Sequence, residues 1–359
     1  MALPAGAMIG ILGGGQLARM MCMAAARLGY KTLVFDPDAI APAAQVASGH
    51  VVAKFDDISQ LEAFARACDV VTYEFENVPV SAARIIDAIT PVRPGVSALE
   101  VAQDRFVEKT FLNNAGIVTA PFAVVDNDDD LNAALAAFSG NGVLKTRRLG
   151  YDGKGQKVLR QSADETLSGV YAAFGSVPLI LEGFVAFERE VSVIAARSLG
   201  GQVAIYDLAE NIHREGILHR STVPALVGDE TLTAAKTAAV TILEALAYVG
   251  VVGIEFFVMP DGSLIANEIA PRVHNSGHWT EAACAISQFE QHIRAVAGLP
   301  LGNPRRHSNC VMENLIGEDI SRIVDLCSQA DVVVHHYGKA KSRAGRKMGH
   351  FTKLTPLDR

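Results

Sequence analysis

Residues 253–280 read GIEFFVMPDGSLIANEIAPRVHNSGHWT, and two of their carboxylates are spaced to meet. Asp261-Gly262 between two apolar runs signals a hairpin turn. With those two residues as the turn, paired positions sum to 523, as Glu255 and Glu268 do. Their Cβ atoms would then lie about 4.5–5.5 Å apart. Like charges so placed repel, and Ile254, Phe256 and Ile269 argue against free solvation. A divalent cation resolves the conflict, since two carboxylates with phosphate oxygens make a Mg²⁺ site. The alternative is a register slipped by one, or a pair facing water. Just beyond comes APRVHNSGH, with Arg272, His274, Asn275, Ser276 and His278. With few apolar residues it is expected outside the core, where it could meet a substrate. His274 could be a general base, an orienting donor or an ordinary loop histidine.

Five other stretches carry groups of the same kind. LKTRRLGYDGKGQKVL has Lys145 on an apolar strand, then Gly150, Gly153 and Gly155 with Lys154. Three glycines in six residues fit a loop closing over phosphates, or a flexible surface hairpin. In LILEGFVAFEREVSVIAA, Glu182 ends an apolar strand whose exposed backbone could hold an adenine edge, with a carboxylate beyond it for ribose. Alone, that stretch reads as an amphipathic strand with its acids outward. IGILGGGQLAR fits G-x-G-x-x-A through Gly13, Gly15 and Ala18, and Asp36 follows Gly15 by 21 positions. This is the dinucleotide spacing, but any anion could use N–H groups at a helix start. The turn could also hold no ligand. In VTYEFENVP, Glu74 and Glu76 share a face at a strand end, where open parallel sheets bind ligands. Near the end, GKAKSRAGRKMGH adds Lys339, Lys341, Arg343, Arg346 and Lys347, a solvated basic tail or an anion site.

The elements that must position these groups follow an alternating plan. Residues 8–100 read strand, helix, strand, helix, strand, which is half of a doubly wound sheet. Pro91, Pro94 and Gly95 break that pattern. Residues 104–180 hold a helix from Asp104, an extended stretch near Pro121, a helix over 129–139 and two strands around the glycine loop. Strands dominate 178–270, with a helix at 230–249, and a helix spans 280–297. The boundaries are therefore 1–100, 101–298 and 299–359, the last a small appended β domain. The chain has 359 residues, half hydrophobic and a fifth charged, a soluble globular mix. A net charge of −7 without a basic block excludes nucleic acid as a partner. Asp128–Asp130 reads as a solvated loop. The odd count of five cysteines, none spaced as a metal pair, points to buried free thiols and a reducing compartment. No leader pattern is seen and no apolar run approaches about 18 residues, so no membrane partner and a cytoplasmic location are expected.

In order, these segments resemble the ATP-grasp enzymes. Within them the chain is similar to the N5-carboxyaminoimidazole ribonucleotide synthases, through GILGGGQLARM, YEFENVP, GYDGKGQ, NEIAPRVHNSGHWT and GRKMGH. The resemblance implies an α/β and α+β molecule: a Rossmann-like pre-ATP-grasp domain, an ATP-grasp domain of two subdomains clamping ATP, and a small C-terminal β domain. It implies an ATP- and bicarbonate-dependent carboxylation of 5-aminoimidazole ribonucleotide through carboxyphosphate, in purine biosynthesis, with ATP and two Mg²⁺ ions, by a homodimer. Arg105 and Lys145 would meet the ATP phosphates, and Gly150, Tyr151, Asp152, Gly153, Lys154, Gly155 and Gln156 would close over them. Glu182, Gly183, Phe184 and Val185 would bind adenine, largely through backbone, and Glu190 the ribose. His213 would line the nucleotide site, and Glu255 and Glu268 would hold Mg²⁺ beside Asn267. Gln16, Leu17, Glu74, Tyr151 and Asp152 would shape the ribonucleotide site. Arg272, His274 and Lys347 would hold the carboxylate and the substrate phosphate, with Lys339 and Arg346 as further substrate contacts. Asp152 joins Arg272, His274 and Lys347 in the implied catalytic set.

Asn77 and Val273 stand where the family more often has histidine and proline; neither change removes a charge. A formate-dependent glycinamide ribonucleotide transformylase shares the glycine turn, but HNSGHWT and the short C-terminal segment speak against it. A nicotinamide-dependent oxidoreductase leaves the second glycine loop and the Glu255/Glu268 pair unexplained. A non-catalytic nucleotide sensor would not need every metal and phosphate group.

Overall fold

The computed structural model describes residues 2–150, 155–160 and 167–357. Strands β1 (Met8–Leu12), β2 (Lys31–Phe35), β3 (Gly49–Val51) and β4 (Val70–Tyr73) form a parallel sheet in the order β3-β2-β1-β4. Helix α1 (Gln16–Arg27) buries Leu17, Ala18, Met20, Met21, Cys22 and Ala25, the stripe its apolar spacing anticipates. Gly29 follows its end with φ +80°. Asp57 caps α2 (Ile58–Arg66) by accepting the N–H of Gln60. Two helices missing from the sequence reading, α3 (Val80–Asp87) and α4 (Val96–Ala102), flank the Pro91–Gly95 break. They and the three-residue β3 are too short to show a clear period.

Asp104 caps α5 (Arg105–Asn114). Beyond it β5 (Phe122–Val125), α6 (Asp128–Ala137), β6 (Asn141–Thr146), β7 (Gln156–Arg160), α7 (Val170–Ala173) and β8 (Leu179–Gly183) build an antiparallel sheet in the order β5-β8-β6-β7. Asp128–Asp130, expected as a solvated loop, is the first turn of α6. Carboxylates suit a helix N-terminus, and Asp128 also accepts N–H groups from Gly169 and Tyr171 at 2.6 and 2.8 Å.

Among the described residues the third sheet has nine strands. β9 (Arg189–Arg197), β10 (Val203–Ile205), β11 (Ala209–Arg214), β12 (Ile217–Val223), β13 (Gly250–Val258) and β14 (Leu264–Ala270) are followed by β15 (Asn309–Ile316), β16 (Val332–His336) and β17 (Lys347–Thr355). The order is β14-β13-β9-β11-β12-β15-β17-β16, with β10 paired to β9. Thus 299–359, read as a small appended β domain, contributes strands that continue a shared sheet through the β12–β15 pairing. Helix α8 (Asp229–Ala245) covers one face. The expected helix over 280–297 is two, α9 (Thr280–Ala283) and α10 (Gln288–Val296), because Cys284 turns extended and Ser287 caps a new start. One core cluster joins Met20 and Met21 of α1 to Phe289 and Ile293 of α10, fastening the first sheet to the third. A short helix, α11 (Ile323–Cys327), lies before β16.

The β13–β14 hairpin reaches its register by an unexpected route. Met259 and Ser263 pair across a three-residue loop in which Gly262 has φ +83°. Phe256↔Ala266 therefore sums one lower than the two-residue turn requires. A bulge between Glu255 and Phe256 absorbs Asn267 and restores Glu255↔Glu268. Two one-residue offsets cancel.

The polar segment 271–280 is in the core, not outside it. Asn275 is 8 % exposed, and Ser276, His278, Trp279 and Thr280 are fully buried. Most of its polar groups find protein partners instead of water. Ser276 bonds Ser192 at 2.7 Å, Asn275 bonds Asn314, and the Gln288 amide both accepts from the His274 N–H and donates to its carbonyl. Cys22, Cys68, Cys284 and Cys310 are buried free thiols as expected, while Cys327 is exposed. Among the described residues no helix is long and apolar enough to cross a membrane.

Candidate active site

A cleft of 740 Å³ opens where the three sheets meet. Arg105, Lys145, Gly150, Gln156, Glu190, His213, Glu255, Asn267 and Glu268 line one part of it, and Gln16, Leu17, Glu74, Arg272, His274 and Lys347 another. Tyr151, Asp152, Gly153 and Lys154 lie outside the described residues.

The acidic part rests on the hairpin. Burial, and then the facing Glu268 charge, push the Glu255 carboxyl upward. One oxygen of each, with a ring nitrogen of His274, fall within 4.8 Å of one another. The Asn267 side-chain oxygen is buried with no hydrogen-bond partner among the described residues. Two carboxylates and an unpartnered amide oxygen, produced by one bulge, fit a hard cation that takes oxygen ligands. Arg105 reaches Glu268 at 3.3 Å from the start of α5. Glu190 bonds His213, and burial, which lowers the imidazole pKa, is outweighed by that bond and the Glu255 and Glu190 charges.

Lys145 does not stand alone on its strand. Its ammonium meets Glu182 at 2.9 Å, and Lys109 meets the same carboxylate at 3.2 Å. Burial raises the Glu182 pKa, but Lys145, then Lys109 and Arg105, hold it at about 2. The Glu182 side chain therefore points into a buried ion cluster, not toward solvent as an outward acid. The Gly183 and Phe184 N–H groups, expected at an open strand end, donate to Pro121 and Asn141 carbonyls. Glu182, Gly183, Phe184, Val185 and Gly155 do not line the cleft.

The substrate-side residues are tied to the first sheet and to 271–280. Arg272 pairs with Glu76 at 2.5 Å. The His274 Nδ1 lies 2.8 Å from the Ser276 hydroxyl, and burial, then Arg272 and Lys347, push its pKa down to about 3. A buried imidazole in this network is no ordinary loop histidine. Lys339 and Arg346 do not line the cleft: Lys339 donates to the Lys347 carbonyl and lies over the Tyr337 ring, and Arg346 donates to the Lys341 carbonyl.

The opening glycine turn is already filled. Glu74 accepts the N–H groups of Gly15 and Ala18, and Asp36 that of Gly14 at 2.7 Å. A Cβ on Gly13 would meet Glu74 and Phe75 at 2.5–2.7 Å, and one on Gly15 would meet the Glu74 carboxylate. These glycines make room for the chain's own side chains. Asp36 is turned to the backbone, which removes the basis of the nicotinamide reading.

Two buried ionisable residues escape the sequence reading. Glu108 accepts the Ile269 N–H at 2.5 Å, and burial, then the Glu268 charge, push its pKa up to about 8. Lys109 donates to the Asn267 carbonyl as well as meeting Glu182. With Arg105 they stand at helical spacings of three and four, a one-face signal available in the sequence.

Comparison with known proteins points to one enzyme family. Residues 7–103 match the ribonucleotide synthetase pre-ATP-grasp domain, 110–289 the ATP-grasp domain, and 310–357 the phosphoribosylaminoimidazole carboxylase C-terminal domain. An N5-carboxyaminoimidazole ribonucleotide synthase of Brucella melitensis is 61 % identical over 98 % of this chain and 97 % of its own. The crystal structure of the synthetase from Thermus thermophilus superposes with a TM-score of 0.89 at 45 % identity, covering 97 % of this chain and 93 % of that one. The Aspergillus clavatus synthase in complex with ADP and 5-aminoimidazole ribonucleotide gives 0.90 at 29 % identity, over 98 % and 94 %. The chain belongs to the N5-carboxyaminoimidazole ribonucleotide synthase family of ATP-grasp ligases.

Proposed function

We propose that the cleft carries out the family's ATP-dependent carboxylation with bicarbonate as the carbon source. The observation that carries this reading is the meeting, in one cleft, of the Glu255/Glu268/Asn267 oxygen set with Arg105 and Lys145 on one side and Arg272, His274 and Lys347 on the other. ATP binds with its phosphates toward Arg105, Lys145, Gly150 and Gln156. The stacked pair Phe187 and Phe257, 4.5 Å apart, offers an apolar face for the base, and Glu190 takes the ribose. Glu255, Glu268 and Asn267 hold Mg²⁺, which supplies charge neutralisation of the transferring phosphate.

5-Aminoimidazole ribonucleotide lies against Gln16, Leu17 and Glu74. Bicarbonate oxygen attacks the γ-phosphorus, ADP leaves, and the amine attacks the carboxyl carbon of carboxyphosphate as phosphate departs and the nitrogen gives up a proton. Arg272 and Lys347 stabilise the dianion electrostatically, and Glu76 fixes the Arg272 guanidinium in place. His274, held neutral, orients the carboxylate as a hydrogen-bonding group without a charge. A cytoplasmic homodimer completes the proposal, and light scattering tests the dimer as a mass of two chains.

ADP release should require Mg²⁺, bicarbonate and 5-aminoimidazole ribonucleotide together. Glu268→Gln should lower turnover by at least about 100-fold with the thermal transition retained. ADP formation indifferent to the ribonucleotide would sink the reading, and full activity in Glu268→Gln would remove the metal from the hairpin. A glycinamide ribonucleotide arm with formate covers the transformylase alternative.

A further inference from the structure

We propose that a second metal site, built for a borderline transition-metal ion such as Zn²⁺, ties the C-terminal strands to the helix that follows the buried polar segment. The donors are Glu281 on α9, His335 on β16 and His350 on β17. His335 and His350 are register partners across the β16–β17 ladder, so they project from one face. Their rings stack at 5.4 Å and 11°. The Glu281 carboxylate meets His335 Nδ1 at 3.0 Å. One ligand atom from each of the three residues falls within 4.8 Å of the others. Around a tetrahedral ion with bonds of about 2.0–2.1 Å, ligand atoms stand roughly 3.3 Å apart, so modest side-chain rotation closes the set.

The surroundings match what such an ion needs. The Tyr337 hydroxyl lies 2.9 Å from Nδ1 of His350 and holds the ring, as outer partners of metal-bound histidines do. His278 adds an independent sign. Its ring is fully buried, 4.9 Å from His350, with Nδ1 engaged by Gln288. Its Nε2 is buried with no hydrogen-bond partner among the described residues. A water on the ion would give that nitrogen its partner. Glu281 keeps 28 % side-chain exposure, which leaves an entry path. Two imidazoles and one carboxylate favour Zn²⁺, Co²⁺ or Ni²⁺ over Mg²⁺, whereas the cleft set is richer in oxygen.

The test is equilibrium dialysis of the full chain against Zn²⁺ in excess Mg²⁺. Because Glu255, Glu268 and His274 could also take Zn²⁺, the measurement is made in Glu268→Gln as well as in wild type. One Zn²⁺ per chain should survive Glu268→Gln, and its affinity should fall at least about tenfold on adding either Glu281→Gln or His335→Gln. Bound Co²⁺ should show tetrahedral visible absorption that both substitutions remove. The two substitutions are made separately so that destabilisation by one leaves the other to report. Zn²⁺ binding unchanged by both, or no Zn²⁺ beyond that lost in Glu268→Gln, overturns the proposal.

Discussion

Buried carboxylates in this protein follow two opposite strategies. Glu182 is surrounded by cations and stays charged, whereas Glu108 sits beside Glu268 and holds its proton to about pH 8. The second case has a pH signature. Below the ordinary value of 4.5 the folded and unfolded forms both carry the proton. Between 4.5 and 8 only the folded form keeps it, so stability falls as pH rises through that window. Glu108→Gln keeps an acceptor for the Ile269 N–H and removes the titration. Its thermal midpoint relative to wild type should therefore climb between pH 5.5 and 8, and parallel profiles at the two pH values would refute the assignment. At this scale the sequence is most legible where spacing alone creates a conflict, as at Glu255 and Glu268. It is least legible where a polar residue is buried by distant partners. Ser276 and Asn275 meet Ser192 and Asn314, which no local pattern reveals.

Among the elements, α1 and the β13–β14 hairpin are readable because long apolar periodicity survives single-residue errors. A two-residue turn without a bulge gives the right carboxylate pairing because the two omissions compensate. The 280–297 segment reads as one helix because its apolar spacing runs through Cys284–Ser287, while the Ser287 cap restarts the helix. That restart sets Gln288 beneath the polar segment, where its amide satisfies both backbone groups of His274. Gln288→Leu strands the buried His274 N–H and leaves the buried His278 Nδ1 without its partner, at about 1–3 kcal/mol each, while the His274 carbonyl keeps the Gly277 N–H. Denaturant unfolding should show a loss of about 2–4 kcal/mol, with turnover reduced because His274 loses its anchor. A variant of unchanged stability would mean that water replaces the amide.

For the molecule as a whole, the sheet that crosses the boundary expected at residue 299 is not legible in composition or in Pro/Gly spacing. A hydrogen-bonded ladder between β12 and β15 has no sequence mark on either strand. Truncation after residue 308 should therefore behave unlike the removal of an independent domain. It bares the β12 edge and takes away Met312 and Leu315, both fully buried. The shortened chain should be insoluble, and residues 299–357 alone should show no cooperative unfolding by circular dichroism; a soluble, cooperative fragment from either side would contradict the shared sheet. The glycine turn has a further consequence for which metabolites the molecule can ignore. Glu74 and Asp36 are tethered to the N–H groups that a dinucleotide would seek. A ligand held by its own chain competes at an effective concentration that free nucleotides do not reach. The molecule thus carries a permanent intramolecular antagonist of nicotinamide cofactors, and in a pool crowded with phosphates that fingerprint stays silent.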